Sequence, residues 1–258
     1  MLIASLRNCS SIERSVADVL APEYGFLTVL VTRPSEKGEA RWEPGVVKEG
    51  RGKRTRTLAP GGRVNAWVPI YVDRRGWFLR EVGGYRVRAL LALEGARIES
   101  GAVSVQVVSG PSPADERAAE ILTSPAAARA LAQGAVPGTE GWSSIETVAK
   151  EYPESRLAPY AQLAMGIART QTVFDPETKI FKKPDCPRAV EDLRSALRRL
   201  EDPLFAARGT IALSECLEAL GQKGALREAV SDYYRRHPEA RGLPGIPEML
   251  EARPDRSD

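Results

Sequence analysis

Side chains that could carry out acid–base, nucleophilic or metal chemistry are sparse in this chain of 258 residues. Its single histidine, His237, is followed directly by a proline at the end of a predicted helix. A histidine there interacts favourably with the negative pole of the helix, which favours a structural role over a catalytic one. One histidine excludes a histidine-rich metal site, and no nucleophile motif accompanies it to form a Ser-His-Asp or Cys-His arrangement.

The cysteines and the carboxylates add no further chemistry. Cys9, Cys186 and Cys216 are far apart and form no CxxC pair or metal-ligand spacing. We expect each to be a small buried side chain or a surface thiol, with no disulfide between Cys186 and Cys216. The motifs of serine hydrolases, phosphate-binding loops and dinucleotide-binding turns are absent, and nothing singles out a glycosidase pair among 34 acidic residues. We therefore predict no catalytic residue, no metal, no cofactor and no enzymatic activity.

The densest run of positive charge extends from residue 48 to residue 56. Five of its residues are basic: Lys48, Arg51, Lys53, Arg54 and Arg56. The glycines within the run indicate a loop at the tip of a hairpin, which is either simply solvated, the more ordinary interpretation, or holds phosphate groups or an acidic partner. No aromatic residue is interleaved with these charges, which argues against binding of single-stranded nucleic acid.

Composition is that of an ordinary globular protein, with 43% hydrophobic and 28% charged residues, and the length suffices for two modest domains. Residues 1–112 carry 17 basic and 11 acidic residues (+6), and residues 113–258 carry 20 and 23 (−3), so neither part points to nucleic acid. No run of about 18 apolar residues is present, so we expect no membrane span. The uncharged start before Arg7 is too short for the hydrophobic region of a secretory signal, so we expect no signal peptide. The oligomeric state stays open, and the compartment is cytoplasmic by default or the cell envelope if the chain is a fragment.

Apolar residues alternate with a period of two as far as about residue 110. The alternating runs are residues 27–32, 64–72, 85–93 and 103–107, with turn residues between them. Residues two apart in a strand point to the same side, so each run presents one apolar face. Short strands separated by hairpin-type turns predict antiparallel sheets packed face to face, which is an antiparallel β-sandwich.

Three motifs stand out in this segment: Leu58-Ala-Pro-Gly-Gly62, Val82-Gly-Gly-Tyr85-Arg-Val-Arg-Ala89 and Val103-Ser-Val-Gln-Val107. Together they resemble the closing half of an immunoglobulin-like or fibronectin-type-III-like sandwich. In such folds a tyrosine opens the penultimate strand and its hydroxyl caps the preceding corner, a role that Tyr85 fits. Val87 occupies the place of the antibody cysteine, so that disulfide is absent. The resemblance covers about residues 1–110 and implies a fold, not an activity.

The second alternating run carries Asn65, Trp67, Pro69 and Tyr71 on its other face. Aromatic rings on a sheet surface can stack on sugar rings or dock a partner, and a carbohydrate-binding sandwich would use Trp67 and Tyr71. The alternative, which we favour, is that another part of the chain covers this face.

Beyond about residue 113, apolar residues recur at three and four positions, which predicts helices. We expect a helical linker over residues 111–138, beginning at Pro113 and interrupted near Pro125. Residues 142–168 then match residues 190–216 at a constant offset of 48.

A third, partial copy ends the repeated segment. His237-Pro-Glu-Ala-Arg241 echoes Tyr152-Pro-Glu-Ser-Arg156. Each copy predicts a helix, a turn and a second helix, and small residues at Ala161, Ala164 and Gly209 would let neighbouring helices approach closely. One such pair cannot bury its own apolar face, so the copies must stack.

The paired helices resemble a tetratricopeptide-type (TPR-like) array. Tyr-Pro-Glu-Ser followed by an alanine-rich helix is similar to the repeats of bacterial periplasmic envelope proteins. The family period is about 34 residues, shorter than the offset here, and residues 172–187 are interpreted as an insertion. The repeat spans residues 139–243, and residues 244–258 form a tail with a short helix around Glu248–Leu250.

The sequence thus predicts an α+β protein of two domains, an Ig-like β-sandwich over 1–110 and an all-α helical-hairpin repeat over 139–243. Because no catalytic set is present and both folds commonly act as docking surfaces, we predict a non-catalytic protein–protein interaction or scaffolding module with a protein or peptide partner. A peptide would lie along the helical concavity near Tyr160, Gln162, Arg169 and Arg208. Two alternatives stay open: a carbohydrate-binding sandwich, and an accessory fragment of a larger secreted or envelope enzyme.

Overall fold

Apart from one short hairpin, antiparallel sheets and α-helices occupy separate parts of the chain in the structure, a computed structural model. It divides into two units, Met1–Ser109 and Gly110–Asp258. The residues that it describes are 2–17, 20, 22, 25–45, 55–93, 96–175, 179–242, 246 and 250. In that part of the chain, no helix combines the length and the apolar character needed to cross a membrane.

The described residues of the first unit form strands in antiparallel pairs. The strands are β1 Leu2–Arg7, β2 Arg14–Ala17, β3 Leu27–Thr32, β4 Glu39–Trp42, β5 Thr55–Leu58, β6 Arg63–Val68, β7 Val72–Asp73, β8 Gly76–Trp77, β9 Gly83–Leu93, β10 Ala96–Glu99 and β11 Val103–Val107. The largest sheet has the order β10-β9-β3-β4, and β11 also pairs with β9. All four runs predicted from alternation contain strands, although the second is interrupted between β6 and β7.

A second pair of chain segments forms a ribbon with a break in the middle. β1 pairs with β6 and β2 pairs with β5, so the stretch that contains β1 and β2 runs antiparallel to the stretch that contains β5 and β6. The break lies between the two pairings. Asn8, which is buried, holds the break: its side-chain amide donates to the carbonyls of Ile12 (2.8 Å) and Leu58 (2.9 Å). Its backbone also exchanges hydrogen bonds with Gly61 and Gly62.

The buried faces of these strands share one hydrophobic core. In β3 the side chains of Leu27, Val29 and Val31 are buried and the alternate ones are half-buried, as the period of two predicts. The indole N–H of Trp42 donates to the carbonyl of Val72 (2.8 Å), which satisfies a polar group inside the core. The core residues are Leu20, Leu27, Val29, Val31, Trp42, Leu58, Val64, Ala66, Val68, Ile70, Phe78, Tyr85, Val87 and Leu91.

Tyr85 near the start of β9 caps the corner that precedes it. Its side chain is 1% exposed. The hydroxyl accepts a hydrogen bond from the N–H of Glu81 (2.8 Å) and donates one to the carbonyl of the same residue (2.9 Å). The predicted contact of this hydroxyl with the preceding corner is confirmed.

The second unit is helical with one short hairpin in its described residues. The elements are α1 Pro113–Leu122, α2 Pro125–Gln133, α3 Glu140–Glu151, α4 Ala158–Arg169, β12 Val173–Asp175, β13 Ile180–Lys182, α5 Cys186–Leu197, α6 Pro203–Ala219, α7 Lys223–Arg236 and a 3-10 helix Pro238–Gly242. Polar N-cap residues explain where four of the helices begin. The N-caps of α1, α2, α5 and α6 accept hydrogen bonds from backbone N–H groups of the first turn, and a proline lies in the first two positions of each helix. These N-caps are Ser112, Ser124, Asp185 and Asp202. The predicted interruption near Pro125 is confirmed between α1 and α2.

Successive helices from α3 to α7 pack on one another, and α4 also packs on α6. The helix–turn–helix segments predicted at 142–168 and 190–216 are observed as the pairs α3/α4 and α5/α6. The interpreted insertion contains the hairpin β12–β13. Of the predicted tail helix, Glu248 and Met249 lie outside the described residues, and Leu250 is buried.

Small residues allow the close packing of α4, α5 and α6. A Cβ on Gly209 would lie 2.8 Å from Cδ1 of Leu163 and 2.9 Å from Cδ2 of Leu197. Ala161 and Ala164 are buried as well. The predicted close approach at a small residue is therefore observed at Gly209, and the burial of Ala161 and Ala164 agrees with the same prediction.

Cys186 and Cys216 form a disulfide, with their Cα atoms 5.0 Å apart. The prediction that these two residues are unpaired is wrong. It failed because 30 residues separate them in the chain, while the antiparallel packing of α5 on α6 brings the first turn of one helix beside the last turns of the other. Cys9 is an exposed free thiol, which is one of the two alternatives that the sequence analysis predicts for it.

Candidate binding groove

A groove of about 370 Å³ lies between α5 and α7, over α6. Both α5 and α7 pack against α6, so the groove has two helical walls and a helical floor. Its lining residues are Arg194, Leu197, Arg198, Ala206, Thr210, Leu213, Ala225, Glu228, Ala229, Asp232, Tyr233, Arg236 and His237.

Helical spacing explains why these residues share the groove. The lining positions at the end of α5 are 194, 197 and its C-cap 198, and those on α7 follow the helical repeat at 225, 228, 229, 232, 233 and 236. Residues at these spacings lie on one face of a helix. The floor from α6 is made of Ala206, Thr210 and Leu213, which are buried and mainly apolar, and it lies beneath charged walls.

His237 terminates α7 and lines the groove. It is 5% exposed, and its ring lies beside that of Tyr233 with centroids 5.2 Å apart. Nδ1 is 3.7 Å from Oε1 of Glu239, whereas Nε2 is buried and has no hydrogen-bond partner among the residues that the structure describes. Burial lowers the pKa of His237, so the ring is neutral at neutral pH.

Tyr233 fastens α7 to the start of α6. Its hydroxyl donates a hydrogen bond to the carbonyl of Pro203 (3.0 Å). Burial raises the pKa of this tyrosine, so its hydroxyl remains a donor across the physiological range. This hydrogen bond holds α7, one wall of the groove, against α6, its floor.

Arginine side chains join the end of each wall helix to an earlier segment of the chain. Arg236 of α7 donates to the carbonyls of Leu197 and Arg198 at the end of α5. Arg199, just after α5, donates to the carbonyls of Pro153 and Ser155 in the turn before α4. These donors satisfy carbonyls that helix ends and turns leave without partners.

The predicted peptide-binding residues on α4 are engaged within the chain. Arg169 pairs with Asp192 and lies over the ring of Trp142, 5.5 Å from its centroid. The Oγ of Ser195 donates to Gln162 (3.2 Å). Tyr160 packs edge-to-face on Phe205 with ring centroids 5.0 Å apart. Arg208 is half-buried on α6 and is not part of the groove lining.

Three of the predicted site residues in the first unit belong to the part of the chain that the structure describes. Trp67 lies on β6 and is half-buried. Tyr71 follows β6, and its ring centroid is 5.8 Å from that of Trp77. In the basic run, Arg56 is exposed on β5, whereas Lys48, Arg51, Lys53 and Arg54 lie outside the described residues.

Sequence reasoning missed the groove residues themselves. Arg194 and Arg198, and likewise Glu228 and Asp232, are pairs of like charge four residues apart in predicted helices. That spacing was a usable signal, because it puts a row of one sign on one helix face. Which helix faces lie opposite each other depends on tertiary packing, which spacing alone does not reveal.

In the described ranges, no three His, Cys, Asp or Glu side chains come together in a way that could hold a metal ion. Comparisons with protein-family models, with curated proteins and with solved structures give no match to this chain.

Proposed function

We propose that this protein is a non-catalytic interaction module in which the groove between α5 and α7 binds a segment of a protein partner. The observation that carries the proposal is the groove itself, with an apolar floor and charged walls. Protein segments bind such helical grooves through apolar anchors on the floor and polar contacts at the rim.

Within this proposal, residues 1–110 are an Ig-like sandwich and residues 139–243 a TPR-like repeat. The corner made by Tyr85 supports the first assignment. The pairs α3/α4 and α5/α6, which coincide with the copies at an offset of 48, support the second. In this scheme α5 and α7 are the first helices of successive copies, so the groove lies between equivalent elements.

The test begins with a selection of short random peptides, displayed on phage, against the full-length chain. Synthetic versions of the enriched peptides are then titrated by fluorescence anisotropy against the wild type and a blocked variant. Ala229→Trp fills the groove from the α7 wall, and Ala225→Trp, one turn earlier, is a second blocking variant. Arg227→Trp puts the same ring at an exposed position of α7 that does not line the groove.

We expect the peptides to bind the wild type and Arg227→Trp equally, and both blocked variants about tenfold more weakly or worse, a difference of about 1.4 kcal/mol. Circular dichroism confirms that each variant is folded before it is titrated. A selection that yields no binding peptide, or peptides that bind the folded blocked variants as well as the wild type, would show that the groove is not the binding site.

A further inference from the structure

Apart from Arg236, whose guanidinium is bonded to carbonyls at the end of α5, the two walls of the groove carry opposite charge. Arg194 on α5 and Arg198, which directly follows this helix, lie one turn apart, and Glu228 and Asp232 lie one turn apart on α7. Arg194, Arg198 and Glu228 are exposed, while Asp232 pairs with Arg235 of its own helix. A segment lying between these walls therefore meets cations on one side and a carboxylate on the other.

His237 adds a polar requirement. The carboxylate of Glu239 faces Nδ1, and because a carboxylate accepts hydrogen bonds, it favours the tautomer with the proton on Nδ1. His237 lines the groove, and its buried Nε2 then carries a lone pair that meets no donor among the described residues. A buried acceptor without a donor is unfavourable, so a ligand that brings an N–H or O–H group is stabilised here.

We propose that the groove binds a mixed-charge peptide segment that turns acidic side chains toward Arg194 and Arg198, turns a basic side chain toward Glu228, and donates a hydrogen bond to Nε2 of His237. This inference rests on the proposed function and specifies the chemistry of its partner. Extended chains place alternate side chains on opposite sides, so acidic and basic residues alternate in the bound segment. Turning the segment so that its acidic side chains face Glu228 would bring like charges together, so the walls determine which side of the segment faces each helix.

The charge walls are tested with the peptides selected on the wild type. We expect these peptides to carry acidic residues at alternate positions with Lys or Arg between them. Their affinity falls about tenfold or more for Arg194→Glu/Arg198→Glu and for Glu228→Arg. Glu191→Arg on α5 and Arg227→Glu on α7 reverse exposed charges outside the lining and leave the affinity unchanged.

His237 is tested without a mutation, because it is the only histidine in the chain. Labelling histidine with ¹⁵N gives one pair of ring-nitrogen signals, and we expect the Nε2 signal to move upfield when a peptide binds and donates a hydrogen bond. His237→Phe, which removes the acceptor, lowers affinity about tenfold, and His237→Asn, which keeps one, restores part of it. An unmoved Nε2 signal at saturation would overturn the hydrogen bond.

The outcomes separate this inference from the proposed function. The charge assignment is overturned if Ala229→Trp blocks the selected peptides but these peptides have no alternating charge pattern. It is also overturned if their affinity does not change with Arg194→Glu/Arg198→Glu and Glu228→Arg. In both cases the groove remains a peptide site. Peptides that the blocked variants still bind would overturn the proposed function itself.

Discussion

Asp115 is the buried carboxylate that fastens α1 to the turn before α4. Its Oδ1 accepts hydrogen bonds from Oγ of Ser155 (2.9 Å) and the N–H of Arg156 (2.7 Å), and its Oδ2 accepts one from Oγ of Ser112 (2.8 Å). Burial opposes ionisation, but these hydrogen bonds outweigh it and lower the pKa of Asp115. Ser155 belongs to the Tyr-Pro-Glu-Ser motif, which gives that motif a local structural role.

Asp115→Ala leaves the Ser155 hydroxyl and the Arg156 N–H without their acceptor. We expect the free energy of unfolding to fall by about 2 kcal/mol, measured by urea denaturation near pH 7. Glu116→Ala, at the exposed neighbouring position, is the control and should change stability by less than about 0.5 kcal/mol. Equal effects of the two variants would contradict the role given to Asp115.

The contribution of Asp115 should depend on pH in a defined direction. Because its pKa is lowered by folding, the stabilisation is complete above the ordinary aspartate pKa of about 3.9 and disappears as the pH falls through the lower pKa of the folded state. The stability difference between the wild type and Asp115→Ala should therefore narrow in urea titrations taken at successively lower pH below about 4. A difference that stays constant into that range would refute the assignment.

Tyr85→Phe tests the corner before β9. The substitution removes both hydrogen bonds to the backbone of Glu81 while keeping the buried ring. We expect a loss of about 1–2 kcal/mol in unfolding free energy, measured by chemical denaturation. A variant as stable as the wild type would show that the hydroxyl contributes nothing to the corner.

At the scale of the elements, the close approach of α4 and α5 depends on Gly166. A Cβ there would lie 2.6 Å from Cγ of Leu193 and 2.8 Å from its Cδ2, whereas Gly224 near the start of α7 has nothing within 4 Å. We expect Gly166→Ala to destabilise the protein by about 1–2 kcal/mol through overpacking. Gly224→Ala should raise stability by up to about 1 kcal/mol because alanine favours helix. Thermal unfolding of both variants checks this, and the same sign for both would contradict it.

The disulfide joins the α5 wall of the groove to its α6 floor. Closing a loop across a separation of 30 residues restricts the unfolded chain and stabilises the fold by about 3–4 kcal/mol. We expect a reductant to lower the denaturant concentration at the unfolding midpoint of the wild type and of Cys9→Ser, because both contain the disulfide. The midpoint of Cys186→Ser, which lacks the disulfide, should not change. If reductant does not change the wild-type midpoint, the disulfide is absent in solution or contributes no stability.

Elements that depend on local periodicity could be predicted from the sequence. The alternation of Leu27, Val29 and Val31 predicted β3, and Pro125 predicted the break between α1 and α2, because both signals act within a few residues. The pairing of β1 with β6 and of β2 with β5 could not be predicted. It is stabilised by a hydrogen bond from the side chain of Asn8 to the carbonyl of Leu58, which is 50 residues away in the chain.

Side-chain roles on the helices were predictable only in part. Arg169 and Gln162 were expected on an open concavity, but α5 brings Asp192 and Ser195 against them. The sequence shows that Arg194 and Arg198 share a helix face, and nothing in it shows that Glu228 lies across from them. Tertiary packing decides which residues are free to meet a partner.

For the whole molecule, the central claim is that a partner segment occupies the groove between α5 and α7. Hydrogen–deuterium exchange of the full-length chain, with and without a saturating amount of the most enriched peptide, tests it most directly. We expect slower exchange in the segments that contain α5 and α7, with no change in residues 2–17 or 55–93. Protection confined to those strand segments, or no protection along α5 and α7, would contradict the account.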